Sequence, residues 1–143
     1  MPAFPDPEWF QQLGRLMETE SELFRRLGYA ETRFVISVLS DGNGLADRHV
    51  GVAIEGYQLT RAIGLDDLQD FDPDFAICGS YSVWRRILDE IVELGRPQLR
   101  HTLSSLALVG EELWLESTDQ LREDKFYRYN QTLQEMFNLS ARL

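Results

Sequence analysis

Residues 74–95 read DFAICGSYSVWRRILDEIVELG, and this stretch decides the fold. Its first part, residues 75–79, is a short apolar run that predicts a buried strand. Ser80 or Ser82 can then cap a helix, whose wide apolar stripe ends at Gly95. A strand that leads directly into an amphipathic helix predicts a sheet with helices packed on it.

Two short helices are predicted ahead of the sheet. Asp6 followed by Pro7 is a helix start, because the carboxylate can cap free amides and proline presets the first turn. Thr19 and Glu22 have the spacing of a capping box, which predicts a second helix that starts there and ends at Gly28. Apolar residues recur at helical spacing through both segments, so each presents one face to a core.

Three strands are predicted between these helices and the opening stretch. Residues 32–39, 49–55 and 57–63 each alternate apolar and other side chains with a period of two. Asp41-Gly42-Asn43-Gly44 separates the first pair of strands, and Glu55-Gly56 separates the second pair. Short turns of this kind predict an antiparallel meander.

The remaining segments complete the predicted fold. Residues 66–74 form an acidic loop, expected to be solvated because like charges repel one another. Residues 106–109 alternate as a fifth strand, and residues 113–115 are ambiguous between strand and helix. Ser117 and Gln120 match a capping box that opens a final helix. The sequence thus predicts an α/β domain with a five-stranded, mainly antiparallel sheet and helices packed on one face.

The composition is that of one globular domain. The chain has 143 residues, of which 43% are hydrophobic and 27% charged, enough for a single core without metals or disulfides. Its 24 acidic residues against 14 Lys and Arg give a net charge of −10. That charge repels DNA or an anionic lipid surface from most approach directions. We therefore expect no nucleic-acid partner.

The sequence predicts neither secretion nor membrane insertion. No window approaches the roughly 20 apolar residues of a membrane span, and no apolar run follows residues 1–8. The single Cys78 lies in an apolar stretch, where we expect a core residue and a reducing compartment. These features predict a cytoplasmic location. Ala141-Arg142-Leu143 is a conservative variant of a peroxisomal address, but such a short match arises easily by chance.

The sequence offers few groups for metal or catalytic chemistry. His49 and His101 stand far apart without a ligand motif, and the acidic loop lacks the turn glycine and closing glutamate of a calcium loop. We therefore expect no metal and no cofactor. One enzymatic alternative stays open, in which Asp70 or Asp72 pairs with His49 or His101 as general acid and base.

Aromatic side chains concentrate in the last two helices and the stretch between them. They suit either a plain core or the lining of a pocket for an apolar small molecule. A further alternative is an interaction module, in which Trp114, Tyr127 and Phe137 form an exposed patch for a partner or a second copy. We expect at most a weak homodimer, because the opposite side of the final helix is charged, as at Arg122 and Arg128.

The order of elements and several local motifs resemble the sterol carrier protein type two superfamily. Phe24-Arg25-Arg26-Leu27-Gly28 is similar to the end of the family's N-terminal helix, and Asp41-Gly42-Asn43-Gly44 is similar to its first hairpin. Residues 74–79 followed by residues 83–88 are similar to its passage from strand to helix. The resemblance spans about residues 8–140.

This resemblance implies a cavity between sheet and helices that carries sterols, acyl chains or other lipids, with no catalytic residues. The implied partner is thus an apolar small molecule, and an enzyme is not expected. The residues expected to line the cavity are Trp84, Leu88, Leu106, Leu108, Trp114, Tyr129, Leu133, Met136 and Phe137. The chain departs from the family at residues 103–110, which replace the lysine-rich fifth strand typical of sterol carriers. Residues 113–125 also look longer and more charged than the family's usual passage to its last helix.

Overall fold

Within residues 3–42 and 46–143, which the computed structural model describes, the chain forms five strands and five α-helices. The strands are β1 (Ala30–Leu39), β2 (Arg48–Gly56), β3 (Gln58–Leu65), β4 (Phe75–Ser80) and β5 (Leu113–Glu116). The helices are α1 (Pro7–Thr19), α2 (Ser21–Leu27), α3 (Tyr81–Leu94), α4 (Leu103–Val109) and α5 (Gln120–Asn138). Three short 3-10 helices join them: η1 (Leu68–Phe71), η2 (Leu99–His101) and η3 (Leu139–Arg142).

The five strands form one sheet in the order β3-β2-β1-β4-β5. The pairs β1/β2, β2/β3 and β4/β5 are antiparallel, whereas β1 and β4 run parallel at the centre. The sheet is therefore mainly antiparallel, which confirms the predicted fold class and the predicted meander of the first three strands. In the turn between β1 and β2, Asn43 and Gly44 lie outside the described residues.

The α-helices pack on one face of the sheet, and the main core lies between them and the strands. Side chains such as Phe34 and Ile77 of the sheet meet Phe10, Ile87 and Phe126 of the helices in this core, and all five are fully buried. Fully burying side chains of this size contributes roughly 1.5–3 kcal/mol each. The layered packing expected from the sequence is thus present.

The opposite face of the sheet carries a smaller apolar cluster that η1 covers. Val35, Ala76 and Cys78 form its floor, and Phe71 of η1 is buried against them. The ring of Phe71 lies over Gly51, where an added Cβ would come within 2.9 Å of the ring carbons. The missing side chain at position 51 therefore lets the ring approach the sheet closely.

The start of α1 and the junction with α2 differ from the predicted capping. Pro7 occupies the first turn as expected, but the Asp6 carboxylate accepts from the Arg48 guanidinium at 2.7 Å and does not cap the helix. The predicted capping box is wrong, because Thr19 ends α1 and its hydroxyl donates to the Leu16 carbonyl at 2.6 Å. The second helix ends before Gly28 as predicted.

The caps of α3 are confirmed, whereas that of α5 is shifted. Ser80 accepts a hydrogen bond from the Val83 N–H at 3.3 Å, and Gly95 ends α3 in the left-handed conformation. At α5 the cap is Asp119, which accepts from the Leu121 N–H at 2.7 Å. Ser117 is not the cap because α5 begins only at Gln120, and the Ser117 hydroxyl donates to the Asp74 carbonyl at 2.7 Å.

The predicted fifth strand at residues 106–109 is wrong, because this segment belongs to α4. Thr102 caps α4 by accepting from the Ser105 N–H at 3.2 Å, and Gly110 ends it in the left-handed conformation. The buried positions in α4 follow helical spacing, and a short apolar run leaves helix and strand undistinguished at the level of sequence. The fifth strand is β5, which contains the segment 113–115 that the pattern left open.

The acidic loop is less solvated than its composition predicts. It contains η1, and the Asp67 carboxylate at its start accepts from the Gln69 N–H at 2.9 Å. At the end of the loop only 7% of Asp74 is exposed. The expectation of a solvated loop is therefore wrong at this end, because Asp74 finds hydrogen-bond and charge partners inside the fold.

Candidate functional site

The space between sheet and helices is occupied by apolar side chains, many of them aromatic. The indole of Trp84 stacks on Phe137 with ring centroids 5.7 Å apart, and Phe10 meets Phe137 edge to face at 6.1 Å. Of the nine residues expected to line a cavity, six are buried in this core: Trp84, Leu88, Leu106, Leu133, Met136 and Phe137. These six lie together on the helical side of the sheet, as a shared lining requires.

The other three expected lining residues lie elsewhere. Leu108 is on the outer side of α4 and 78% exposed, and Tyr129 is half-buried against the main core. Trp114 lies on the opposite face of the sheet, next to Cys78, and its indole N–H donates to Glu116 at 3.3 Å. The structure therefore does not bring Leu108 and Trp114 together with the buried six.

A groove of about 850 Å³ opens at the surface between the C-terminal end of α3, η2, α4 and α5. Leu27, Leu94 and Leu99 give it apolar walls, while Gln134 and neighbouring amides of α5 line its other side. Its volume lies within the ~300–1,000 Å³ that is usual for small-molecule sites. Among the residues described, none of the nine predicted cavity residues lines this groove.

Helix α4 separates the groove from the main core. Ser104 and Ser105 face the groove, whereas Leu103 and Leu106 point into the core. The start of α4 is held to α5 by a hydrogen bond from the Leu103 N–H to the Gln134 side-chain oxygen, 2.8 Å long. A helix of two turns has little stability of its own and depends on such contacts. The apolar interior is therefore one short helix away from an open groove.

A charged network links the sheet to α5 near the start of that helix. The Asp74 carboxylate accepts from the Thr32 hydroxyl at 2.9 Å and from the Arg33 N–H at 3.2 Å. It also forms ion pairs of 3.2 Å with Arg122 and Lys125 on α5. Burial alone would raise the pKa of Asp74, but these hydrogen bonds outweigh burial and hold its pKa below the usual value. The network thus fastens the first turns of α5 to the sheet.

Comparison with known proteins supports the fold. No family profile matches the chain, and no curated protein sequence does. The crystal structure of sterol carrier protein 2 superposes with a TM-score of 0.70 at 19% identity, covering 95% of each chain. The solution structure of a conserved hypothetical protein from Thermus thermophilus, described as a possible sterol carrier protein, superposes with a TM-score of 0.64 at 19% identity. That match covers 99% of this chain and 90% of the other.

The chain has the sterol carrier protein 2 fold. The resemblance inferred from the strand-to-helix passage is thereby confirmed at the level of fold. Among the described residues, no helix combines the length and the apolarity needed to cross a bilayer.

The acid–base pair of the enzymatic alternative is not formed within this fold. His49 shares a 2.8 Å hydrogen bond with Ser37, and His101 contacts Glu90 at 2.9 Å. Asp72 pairs instead with two arginines, and Asp70 is exposed. Within residues 3–42 and 46–143, no hydrogen bond joins either histidine to either aspartate.

Cys78 is confirmed as a core residue, since only 3% of it is exposed. Burial raises the pKa of its thiol to about 12, with the charge of Glu116 acting in the same direction. A thiol with so high a pKa carries almost no thiolate at neutral pH, so it lacks the reactive form of a nucleophile.

The exposed aromatic patch expected for an interaction module is not formed. Phe137 is fully buried in the main core, Trp114 is half-buried on the opposite face of the sheet, and Tyr127 is 41% exposed on α5. These three aromatic side chains therefore do not form one exposed surface.

Sequence reasoning missed both the groove and the Asp74 network. Asn130, Gln134 and Asn138 recur four residues apart on α5, and this amide stripe was the available signal for a polar wall. For Asp74 the signal was weaker, because an aspartate at the end of an acidic loop looks solvated until its partners on α5 are known.

Proposed function

We propose that the protein binds an apolar small molecule, such as a sterol or a fatty acyl chain, and does not transform it. The observation that carries the proposal is a sterol carrier protein 2 fold whose apolar interior lies one short helix away from an open groove. Apolar pockets with a few polar groups at the mouth are the usual form of such sites. The names of both similar structures point to the same ligand class.

In this proposal the ligand enters through the groove and displaces α4 from the core. The ligand then contacts buried core residues such as Leu106, Leu133, Met136, Trp84 and Phe137. Methionine adapts its shape readily, which suits a space that is filled by side chains when no ligand is bound. When α4 moves, the Gln134 side-chain oxygen loses its hydrogen bond from the Leu103 N–H and becomes an acceptor for a ligand's polar end at the mouth.

Binding without chemistry is favoured because the groups that could act on a substrate are engaged elsewhere. Asp74 is held by four donors, and His101 is held by Glu90. None of these side chains lines the groove beside α4. The proposed role is therefore that of a carrier or a sensor of its ligand.

Native mass spectrometry and thermal unfolding test this proposal. The purified protein is mixed in turn with cholesterol, palmitate and palmitoyl-CoA. We expect a one-to-one complex with at least one of them and a rise in its melting temperature, because a ligand that binds only the folded state stabilises it. The proposal fails if no complex forms and no melting temperature rises.

A variant of the groove tests the route. Ser104→Trp places a large ring between α4 and α5, where we expect it to slow ligand association about tenfold by blocking access. Ser82→Trp is the matched control, because Ser82 is exposed on α3 and lines a different depression. Equal association rates for wild type and Ser104→Trp would reject the groove as the route.

A further inference from the structure

The outer side of the segment around α4 exposes an unusual group of aliphatic side chains. Leu99 is 88% exposed, Leu108 78%, Val109 68% and Leu94 54%. These values matter because leucine and valine are among the residues most often buried. Four of them in one short stretch of the chain indicate a surface that meets something apolar.

These side chains belong to one region around the groove. Leu94 and Leu99 line the groove together with Ser105. The Ser105 hydroxyl donates to the Leu99 carbonyl at 2.8 Å, so η2 sits against the outer side of α4. Leu108 and Val109 lie three and four residues after Ser105 and therefore next to it on the same side of the helix, and both are exposed. We call Leu94, Leu99, Leu108 and Val109 the α4 patch.

The charge around the α4 patch differs from that of the rest of the molecule. Residues 95–110 contain Arg96 and Arg100 and no acidic residue, in a chain whose net charge is −10. Within residues 3–42 and 46–143, neither arginine forms a salt bridge. The free guanidinium groups are well suited to phosphate, which they can bind in a bidentate manner.

Acidic side chains border the same region. Glu135 lines the groove, and Glu111 and Glu112 line a smaller depression of about 230 Å³ beside Val109. Glu112 is already paired with Arg86. Glu93, exposed beside Leu94, adds a further negative charge. Acidic side chains around the α4 patch therefore at least balance Arg96 and Arg100, which fits a surface of zwitterionic headgroups better than an anionic one.

We propose that the α4 patch docks on a zwitterionic phospholipid bilayer. The four aliphatic side chains enter the interface between headgroups and acyl chains, and Arg96 and Arg100 bind headgroup phosphates. This inference rests on the proposed function for its purpose: docking would place the groove at the membrane, where an apolar ligand resides. The attachment is peripheral, because the patch consists of four side chains at the surface of α3, η2 and α4, too few to cross a bilayer.

A second copy of the chain fits the α4 patch less well than a bilayer does. Standard protein interfaces bury about 800 Å² per partner and concentrate their binding energy in Trp, Tyr and Arg. The α4 patch holds only four aliphatic side chains, and aromatic residues are absent from positions 94–110. Aliphatic contact combined with phosphate-binding arginines is the chemistry of a lipid surface.

Sedimentation with vesicles of phosphatidylcholine tests the proposal. We expect wild type to bind, and the double variant Leu99→Ser/Leu108→Ser to bind at least about tenfold more weakly, because two exposed leucines lose their apolar contact. Leu121→Ser is the matched control, since Leu121 is also 78% exposed but lies on α5. Adding phosphatidylserine to the vesicles should weaken binding through repulsion of the acidic protein.

Several results would overturn the proposal. The first is that wild type does not bind phosphatidylcholine vesicles, or that the double variant binds them as strongly as wild type does. The second is that Leu121→Ser weakens binding as much as the double variant does. The third is that binding becomes stronger as the phosphatidylserine content rises. The α4 patch would instead serve self-association if light scattering showed a dimer for wild type and a monomer for the double variant, and wild type did not bind vesicles.

Failure of this proposal is distinguishable from failure of the proposed function. Ligand binding is measured on the same variants without vesicles, by native mass spectrometry. We expect Leu99→Ser/Leu108→Ser to retain the ligand and a native circular dichroism spectrum, because both replaced side chains are exposed.

Discussion

At the scale of single residues, Asp74 holds more of the structure together than any other polar side chain described. Its carboxylate receives two donors from β1 and two cations from α5, and its backbone carbonyl accepts from Ser117. Removing one member of a buried charge pair is costly, because the remaining charges lose their partner. The sheet and α5 therefore depend on this single side chain for their polar contact.

Replacing Asp74 by asparagine should lower the free energy of unfolding by about 2–3 kcal/mol, because Arg122 and Lys125 lose their buried counter-charge. Urea unfolding followed by circular dichroism measures the change. Asp70→Asn is the control, since Asp70 is exposed in the same acidic loop and should change stability by less than about 0.5 kcal/mol. Equal effects of the two substitutions would contradict the role given to Asp74.

The same residue sets a dependence on pH. Its pKa is lowered in the folded state, so its contribution is fully present above the unfolded-state pKa of about 3.9 and is lost as the pH falls through the folded-state value. We expect the stability difference between wild type and Asp74→Asn to be constant from neutral pH down to about pH 5, and to narrow below about pH 4. A difference that widened on acidification would have the wrong sign for this account.

At the scale of elements, η1 packs on the sheet through Leu68 and the buried ring of Phe71. Phe71 lies on Gly51, and the guanidinium of Arg61 lies over the outer side of the same ring at 5.7 Å. This contact covers the face of the sheet that the α-helices leave free. A side chain at position 51 would occupy the place of the ring.

Gly51→Ala should destabilise the protein by about 1–3 kcal/mol, because its methyl group overlaps the Phe71 ring and η1 must shift. Gly64→Ala is the matched control in the neighbouring strand β3, where an added Cβ meets nothing closer than Pro7 at 3.8 Å. We expect the control to be neutral or slightly stabilising. Thermal unfolding compares the two variants, and similar melting temperatures would count against the proposed contact.

How well each element could be predicted follows from its length and its surroundings. The strands β1 to β4 and the helix α3 follow clear periods, so their types and approximate bounds emerged from the sequence. The type of the segment from Leu103 to Val109 could not be predicted, because an apolar run of this length fits either the helical or the strand period. The caps at Thr102 and Gly110 are what identify it as a helix. The predicted caps at Thr19 and Ser117 are wrong because Thr19 ends α1, and α5 begins only after Asp119.

At the scale of the whole molecule, the fold was easier to predict than the site. The regular spacing of apolar residues implies a layered core, and the resemblance of residues 74–88 to one family indicated a sheet with helices on one face. The groove depends on how the end of α3, η2, α4 and α5 meet, which no local pattern encodes. For the same reason the sequence grouped Leu108 and Trp114 with core residues from which the folded chain separates them.

The most direct test of the central claim is a methyl NMR titration of the protein with cholesterol or palmitate. Binding between the sheet and the helices predicts large shifts for Leu106 of α4 and for Leu133 and Met136 of α5, which are buried in the main core. It predicts no shift for Val35 and Leu68 on the opposite face. Saturating ligand without any methyl shift, or shifts confined to Val35 and Leu68, would contradict a ligand site between the sheet and its helices.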